Sequence, residues 1–484
     1  MRFYLMEVIS MFLPILEFIM LFFGKIIFFY MLVVILSYSI MLIFASIELR
    51  KNYKLNRTEI EEDYIDVIYT KPVSIIVPAY NEEVGVVESI HSLLSLRYPQ
   101  VEIIVVNDGS TDLTQEKVIE QFKMKKIDKV FREQLPTKKV LSIFRSEIHP
   151  NLLLVEKENG GKADALNTGI NIAQYPYFCS IDGDSLLQEQ ALLHVMKPVI
   201  LSNEEVIATG GNIRIANGLN VHLGSVFESS NSSNLLVVMQ IVEYLRAFLL
   251  GRIALSKLNL VLIISGAFSV FSKKWVIAVG GYSTHTIGED MELVVKLQRL
   301  IKEKKLKKRI EFVSDPVCWT EAPQSLEILR KQRRRWHQGL IESLWKHKKI
   351  TFNPKYGSIG TVAFPYFWLV ECLGPLIELG GYAYVIICFF LGDIYLEFAI
   401  ILSLLFILYG SVLSVASIIL EAWSTNTYPK KKVVIRLIFM ALTEIFWYKP
   451  LTLFWRLEGI IHFLRGRSEW GNMSRVGMSK GPSK

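Results

Sequence analysis

The sequence predicts an α/β domain with a largely parallel, helix-covered sheet, embedded in an α-helical transmembrane protein. Long apolar segments flank the chain at both ends, short β-branched runs alternate with helical patterns between them, and polar residues follow the ends of those runs. Of 484 residues, 51% are hydrophobic and 21% are charged, which requires the two to be segregated and excludes an ordinary soluble enzyme. Lys and Arg outnumber Asp and Glu by 54 to 46, a formal charge of +8 that suits anionic lipid, a phosphorylated substrate or nucleic acid equally. Cys179, Cys318, Cys372 and Cys388 follow neither metal-ligand nor disulfide spacing and read as reduced core residues.

Residues 1–50 read as an N-terminal transmembrane region of one or two helices. The run from Ile26 to Ile47 reaches the roughly 20 residues that cross a bilayer, and the basic "RKNYKLNR" behind it marks a cytoplasmic side. The preceding apolar stretch contains Pro14 and Glu17 and is either a second span or an interfacial helix; no small-residue cleavage site follows, so it is expected to be an anchor. Residues 358–464 predict three or four further helices, the last apolar segment being broken at Lys449-Pro450. A basic tail, 465–484, is expected at the membrane interface.

Residues 69–349 carry the α/β pattern. "VSIIVPAY", "VEIIVVND", "NLLLVEK" and "YFCSIDGD" are the strands, separated by helical patterns such as "EEVGVVESIHSLLSL". Ligands of such sheets bind outside the C-terminal strand ends, and Asn81, Glu82, Asp108, Asp182 and Asp184 fall there.

Each polar motif is ambiguous alone. Asp182 and Asp184 flank Gly183 and can present oxygens to Mg²⁺ or Mn²⁺, or be a solvated turn. The positions that would complete an EF-hand are Leu186 and Leu187. Asp108 in "NDGSTD" can accept hydrogen bonds from a base or ribose, although Ser110 or Thr111 as a helix cap explains much of that stretch. "ENGGKADALNTG" is no Walker loop, because Glu156 and Ala163 occupy the required Gly and Ser/Thr positions; Lys162 behind two glycines can still approach a diphosphate. Glu289 and Asp290 begin a helical pattern, where acidic residues favour the helix N-terminus and where a carboxylate can also act as a general base.

Leu326 to Leu344 form a helical stripe that contains "QRRRW". At about 100° per residue, with Trp336 at zero, Gln332 lies near about −40°, Arg333 near about +60°, Arg335 near about −100° and Arg334 near about 160°. Arg334 therefore faces away from Trp336 and is expected to touch lipid at most.

In order and placement, Asp108, Asp182 with Asp184, Glu289 with Asp290, and Gln332 to Trp336 resemble the D, DxD, D, Q(Q/R)xRW signature of processive family-2 glycosyltransferases. These are membrane synthases of cellulose, hyaluronan, chitin and poly-N-acetylglucosamine. "PAYNE", "GGKADALN" and "SGAF" extend the likeness over nearly the whole chain. The resemblance implies an inverting GT-A fold, a Rossmann-like nucleotide-sugar-binding α/β domain. It implies that Pro78, Ala79, Tyr80, Asn81, Glu82 and Asp108 hold the nucleotide of a UDP-sugar donor, with Lys162 near its diphosphate. Asp182 and Asp184 would bind Mg²⁺ or Mn²⁺, and Asp290 would deprotonate the acceptor hydroxyl. Gln332, Arg333 and Arg335 would border the diphosphate and the acceptor end, and Trp336 would offer a plate for the terminal sugar.

The implied partners are the UDP-sugar, a growing polysaccharide and the bilayer, with accessory export or regulatory subunits and no nucleic acid. The implied location is the cell membrane, multi-pass, with the catalytic domain cytoplasmic. Glu371 and Glu378, on one face of the first C-terminal span, either line a polymer path or pair with another helix. The short tail is expected to leave no room for the cyclic-dinucleotide-binding domain of bacterial cellulose synthases, and no "FxVTxK" loop is present. The resemblance therefore favours a poly-N-acetylglucosamine-type synthase. The alternatives are a non-processive transferase with a lipid-phosphate acceptor, and a non-enzymatic transporter or scaffold.

Overall fold

A computed structural model describes residues 2–58, 70–183, 185–217, 221–222, 225–226, 233–391, 393–424 and 431–466. Asp184, the "PKKK" dipeptide Pro429-Lys430 and tail residues 467–484 lie outside these, as do the side chains of Pro14 and Glu17.

The strands are β1 (Val73–Ala79), β2 (Val101–Asn107), β3 (Met124–Ile127), β4 (Val140–Ser146), β5 (Leu152–Lys157), β6 (Tyr177–Ile181), β7 (Leu186–Leu187), β8 (Val206–Ile215), β9 (Val221–His222), β10 (Ser225–Val226), β11 (Phe268–Ser272) and β12 (Arg309–Thr320). Ten of them form one sheet in the order β3-β4-β5-β2-β1-β6-β11-β8-β12-β7; β9 and β10 pair separately. The four strands read from the sequence are the parallel centre, β5-β2-β1-β6. They are buried on both faces, which is why they read as unbroken apolar runs.

The sheet as a whole is mixed, not largely parallel: five of its nine pairings are antiparallel, β3–β4, β4–β5, β6–β11, β11–β8 and β12–β7. The antiparallel pairings lie on either side of this parallel centre, although helices also precede β8, β11 and β12.

The helices are α1 (Arg2–Thr58), α2 (Val86–Leu94), α3 (Thr114–Gln121), α4 (Lys162–Ile172), α5 (Ala191–Leu201), α6 (Leu235–Leu245), α7 (Ile253–Lys257), α8 (Lys273–Ala278), α9 (Glu289–Glu303), α10 (Leu326–Lys346), α11 (Phe364–Tyr366), α12 (Gly374–Leu391), α13 (Asp393–Ser424), α14 (Lys431–Thr443) and α15 (Tyr448–Leu464). Helix α1 is continuous over 57 residues, so the two N-terminal apolar stretches are one element; Gly24 costs a helix only about 1 kcal/mol and does not break it. Within α1, Phe18–Lys51 is long and apolar enough to cross a membrane, as is Ile400–Trp423 of α13. Two bent pairs satisfy the same test: Ile359–Cys372 with Gly374–Phe390, bent by 43°, and Lys431–Phe446 with Tyr448–Leu464, bent by 55°. The second bend falls at Trp447, just ahead of Lys449-Pro450. Large apolar side chains such as Phe29, Phe390 and Phe439 point outward from these helices, as lipid-facing residues do.

Ion pairs tie the sheet domain to the helices. Lys257 reaches Glu48 of α1 at 2.8 Å, and Arg214 of β8 pairs with Glu421 of α13.

Candidate active site

The site is assembled at the C-terminal ends of β1, β2 and β6. The Tyr80–Glu83 loop after β1 is stitched to the turn after β2: Thr111 N–H donates to Asn81 Oδ1 (2.8 Å), Asn81 N–H to Ser110 Oγ (3.1 Å) and Glu82 N–H to Thr114 Oγ1 (2.9 Å). Tyr80 and Asn81 stay exposed on this ledge, Pro78 and Glu82 are half-buried, and Ala79 is buried beneath it.

Asp108 is not on the ledge. Its carboxylate is buried and accepts from Gly160 N–H (3.0 Å) and Gly161 N–H (2.7 Å), and it pairs with the fully buried Lys157. Lys157 also meets Asp164 at 2.8 Å. Burial raises the Asp108 pKa against the pull of Lys157 and the two amides. Both oxygens are engaged within the domain, so that Asp108 anchors the turn that presents Lys162.

Lys162, the first residue of α4, is the hub of the exposed side. Its Nζ lies 2.8 Å from Asp182, 3.6 Å from Glu289 and 3.5 Å from Asp290, uniting three motifs far apart in the chain. Burial works against the ammonium, but Asp182, Asp290 and Glu289 together raise its pKa well above the usual lysine value. Burial and the Asp290 charge push the Glu289 carboxyl up to about 7, opposed by Lys162 and Arg335. Burial likewise raises Asp290, with Lys162 the foremost opposing charge.

Two close approaches fix Asp290. A Cβ on Gly266, in "SGAF", would stand 2.0 Å from Asp290 Oδ2. At the start of α9, Gly288 meets Gly339 of α10 backbone to backbone, where an added Cβ would come within 2.9 Å of main-chain atoms on either side. Ile287 N–H donating to Glu342 Oε2 at 2.9 Å reinforces the crossing.

On α10, Trp336 is 45% exposed and borders Tyr244, with ring centroids 6.5 Å apart. Gln332 Oε1 is buried without a hydrogen-bond partner. The charge of Arg335 reaches Glu289 and Asp290, lowering both pKa values. Arg333 shares the Trp336 face, its guanidinium carbon 4.4 Å from the ring centroid, but it is 3% exposed and held by Glu243 (2.8 Å) and Tyr448 Oη (3.5 Å). In this position Arg333 braces the tryptophan from beneath. Arg334 is half-buried, its carbonyl packed toward Gly459 of α15, so that helix covers the face expected to meet lipid.

Residues 74–280 match the family Glycosyl transferase family 2, and residues 178–413 match Glycosyl transferase family group 2. Together the two matches span residues 74–413, and the chain is a glycosyltransferase with family-2 domains. The chain is 27% identical over 400 residues to a poly-beta-1,6-N-acetyl-D-glucosamine synthase of Staphylococcus epidermidis, covering 80% of this chain and 81% of that protein. It is 29% identical over 306 residues to the synthase of the same name from Staphylococcus aureus strain COL, covering 63% and 62%. A mannosyltransferase from Pyrobaculum calidifontis, solved with GDP-Man and Mn²⁺, superposes with a TM-score of 0.51 at 20% identity, over 87% of this chain and 99% of that one. That likeness shows the fold, which is GT-A-like.

In this glycosyltransferase the donor set around Lys162 is all oxygen, the chemistry that suits Mg²⁺ or Mn²⁺. Among the described residues no three His, Cys, Asp or Glu side chains form a metal cluster; Asp182 supplies one carboxylate and its expected companion Asp184 lies outside them. Sequence reasoning missed Lys157, Asp164 and Glu243. A lysine ending an otherwise apolar strand was the available signal for Lys157, since a buried ammonium requires a partner.

Proposed function

We propose that this glycosyltransferase is an inverting, processive membrane polysaccharide synthase that polymerises N-acetylglucosamine from UDP-GlcNAc and exports the β-linked product. The observation that carries this reading is the convergence of Asp182, Glu289 and Asp290 on Lys162, in a chain that aligns with the Staphylococcus epidermidis synthase over 80% of its length.

In the proposed reaction Tyr80 and Asn81 border the nucleotide and Lys162 binds the diphosphate, while Asp108 positions Lys162 through the Gly160–Gly161 amides. Asp182 and Asp184 would hold a divalent cation, which when bound would supply neutralising charge for the leaving UDP. Asp290 takes the proton of the acceptor hydroxyl as that oxygen attacks the anomeric carbon opposite the diphosphate. Its raised pKa is in the right direction for a base, and the Gly266 contact holds its position. Gln332 and Arg335 lie toward the diphosphate and acceptor end, and the exposed face of Trp336 stacks on the terminal sugar.

The proposed arrangement is an anchor in residues 1–50, a cytoplasmic GT-A domain over 69–349 and a membrane region over 358–464, followed by the basic tail. Arg50 and Lys51 at the end of the first span support the cytoplasmic placement. Incubating membranes that contain the full chain with a panel of labelled UDP-sugars tests the reading. High-molecular-weight product from UDP-GlcNAc is expected. Transfer of a single sugar to lipid, or no incorporation from UDP-GlcNAc, overturns it.

A further inference from the structure

Helix α15 is bound to the outer face of α10. Gly459 permits this: a Cβ there would stand 2.7 Å from the Arg334 carbonyl and 3.1 Å from His337 Cβ. Arg330 and Glu458 close the same interface at 2.7 Å. Lys449 of α15 reaches Glu378 of α12 at 2.7 Å, and Arg456 joins α10 itself to the membrane helices. Arg456 Nε donates to Nδ1 of His337, next to Trp336, at 3.3 Å. Its Nη2 donates to the Glu371 carbonyl at 2.5 Å and lies 3.5 Å from the Glu371 carboxylate. That carboxylate accepts from Tyr366 Oη at 3.1 Å and from Tyr38 Oη of α1 at 3.4 Å.

We infer that Arg456 is a positioning residue that holds the acceptor-end helix α10 in register with the membrane helices, so that the growing chain is retained between additions. This rests on the polymerising reading above. A polymer whose end lies at Trp336 must leave between helices whose spacing relative to α10 stays constant through each cycle. A planar guanidinium with separate donors can serve His337 and Glu371 at once; a lysine ammonium is a single point. His337 is suited to accept: burial and then the Arg456 charge lower its pKa to about 2, and a guanidinium can only donate, so Nδ1 is the accepting nitrogen. Arg456 touches neither Lys162 nor the carboxylates around it, so its loss acts on retention of the product and not on the bond-forming step.

The test uses the purified full chain in lipid nanodiscs with UDP-GlcNAc, measuring UDP release and product length together. For Arg456→Ala, UDP release within about threefold of wild type and a mean product length reduced about tenfold or more are expected, the loss of one charge-assisted hydrogen bond being worth a factor of about ten or more in retention. Arg456→Lys, which keeps the charge and guards against misfolding, should shorten the product to an intermediate length. His337→Ala should shorten it comparably, and the double variant should go no further, because the two act as one unit. Unchanged length in both Arg456 variants, or additive effects with His337→Ala, overturns the inference. So does a parallel fall of UDP release and length, which marks a purely structural brace. A wild-type protein that makes no polymer would instead defeat the proposed function itself.

Discussion

Lys157 and Lys162 stand five residues apart in the chain, and each faces aspartates, yet they do opposite work. Lys157 is fully buried between Asp108 and Asp164, two carboxylates that are themselves nearly inaccessible. Lys162 keeps 19% of its side chain exposed and faces three carboxylates, of which Asp182 and Asp290 are partly open. The closed cluster sets two carboxylates against one lysine, and Gly160 and Gly161 N–H donate to Asp108. The open one sets three carboxylates against one lysine, and burial, followed by repulsion from a neighbouring carboxylate, raises the pKa values of Glu289 and Asp290. Residue type does not distinguish a strut from a reactive centre here; solvent access does.

Substitution should separate the two lysines. Lys157→Met leaves two buried aspartates unpaired and should destabilise the protein by about 3–5 kcal/mol. The check is thermal or denaturant melting in detergent. Lys162→Met should leave the melting transition nearly unmoved while raising the donor KM by about 10–100-fold, the worth of one charge-assisted hydrogen bond. If the two variants behaved alike in both assays, the comparison would fail.

The Gly266 contact sharpens the open cluster further. Gly266→Ala drives a methyl group into Asp290 Oδ2, and turnover should fall about 10²-fold with donor KM little changed. A drop in affinity without a drop in turnover would place the strain elsewhere than on Asp290.

Behind the cluster, Glu292 is buried among His347 (3.1 Å), Lys296 (3.1 Å) and Lys346 (2.9 Å). Burial alone would raise its pKa, but the His347 hydrogen bond and the two lysines bring it down to about 2. A depressed carboxylate stabilises the fold above its unfolded value, 4.5, and loses that contribution as pH falls through about 2. Glu292→Gln should therefore cost about 1.5–3 kcal/mol at neutral pH, a gap that closes between pH 4.5 and about pH 2. A gap independent of pH would show that packing, not charge, fixes α9 against α10.

Much of this arrangement was legible in the residues. The four central strands are apolar runs because parallel strands buried on both faces have no solvent side, and their polar C-terminal ends located the site. The antiparallel half was not legible: β11 and β12 owe their partners to tertiary pairing, and a two-residue strand such as β7 carries no period. Helical geometry placed Arg333 on the face of Trp336, which the 4.4 Å contact bears out. It had no means of finding Glu243, 90 residues away, or Tyr448, the groups that claim that arginine. The partnership of Asp108 with Lys157 depends on register. Asn107 pairs with Glu156, which sets the next residues of β2 and β5 side by side.

The central claim is that the open cluster performs the transfer, with Asp290 as its base. Its most direct test is polymer synthesis from UDP-GlcNAc by the purified full-length Asp290→Asn variant, beside a melting curve of the same sample. The account predicts an unaltered melt and a rate lower by about 10²–10⁴. A variant that melts like wild type and synthesises polymer at the wild-type rate would contradict it.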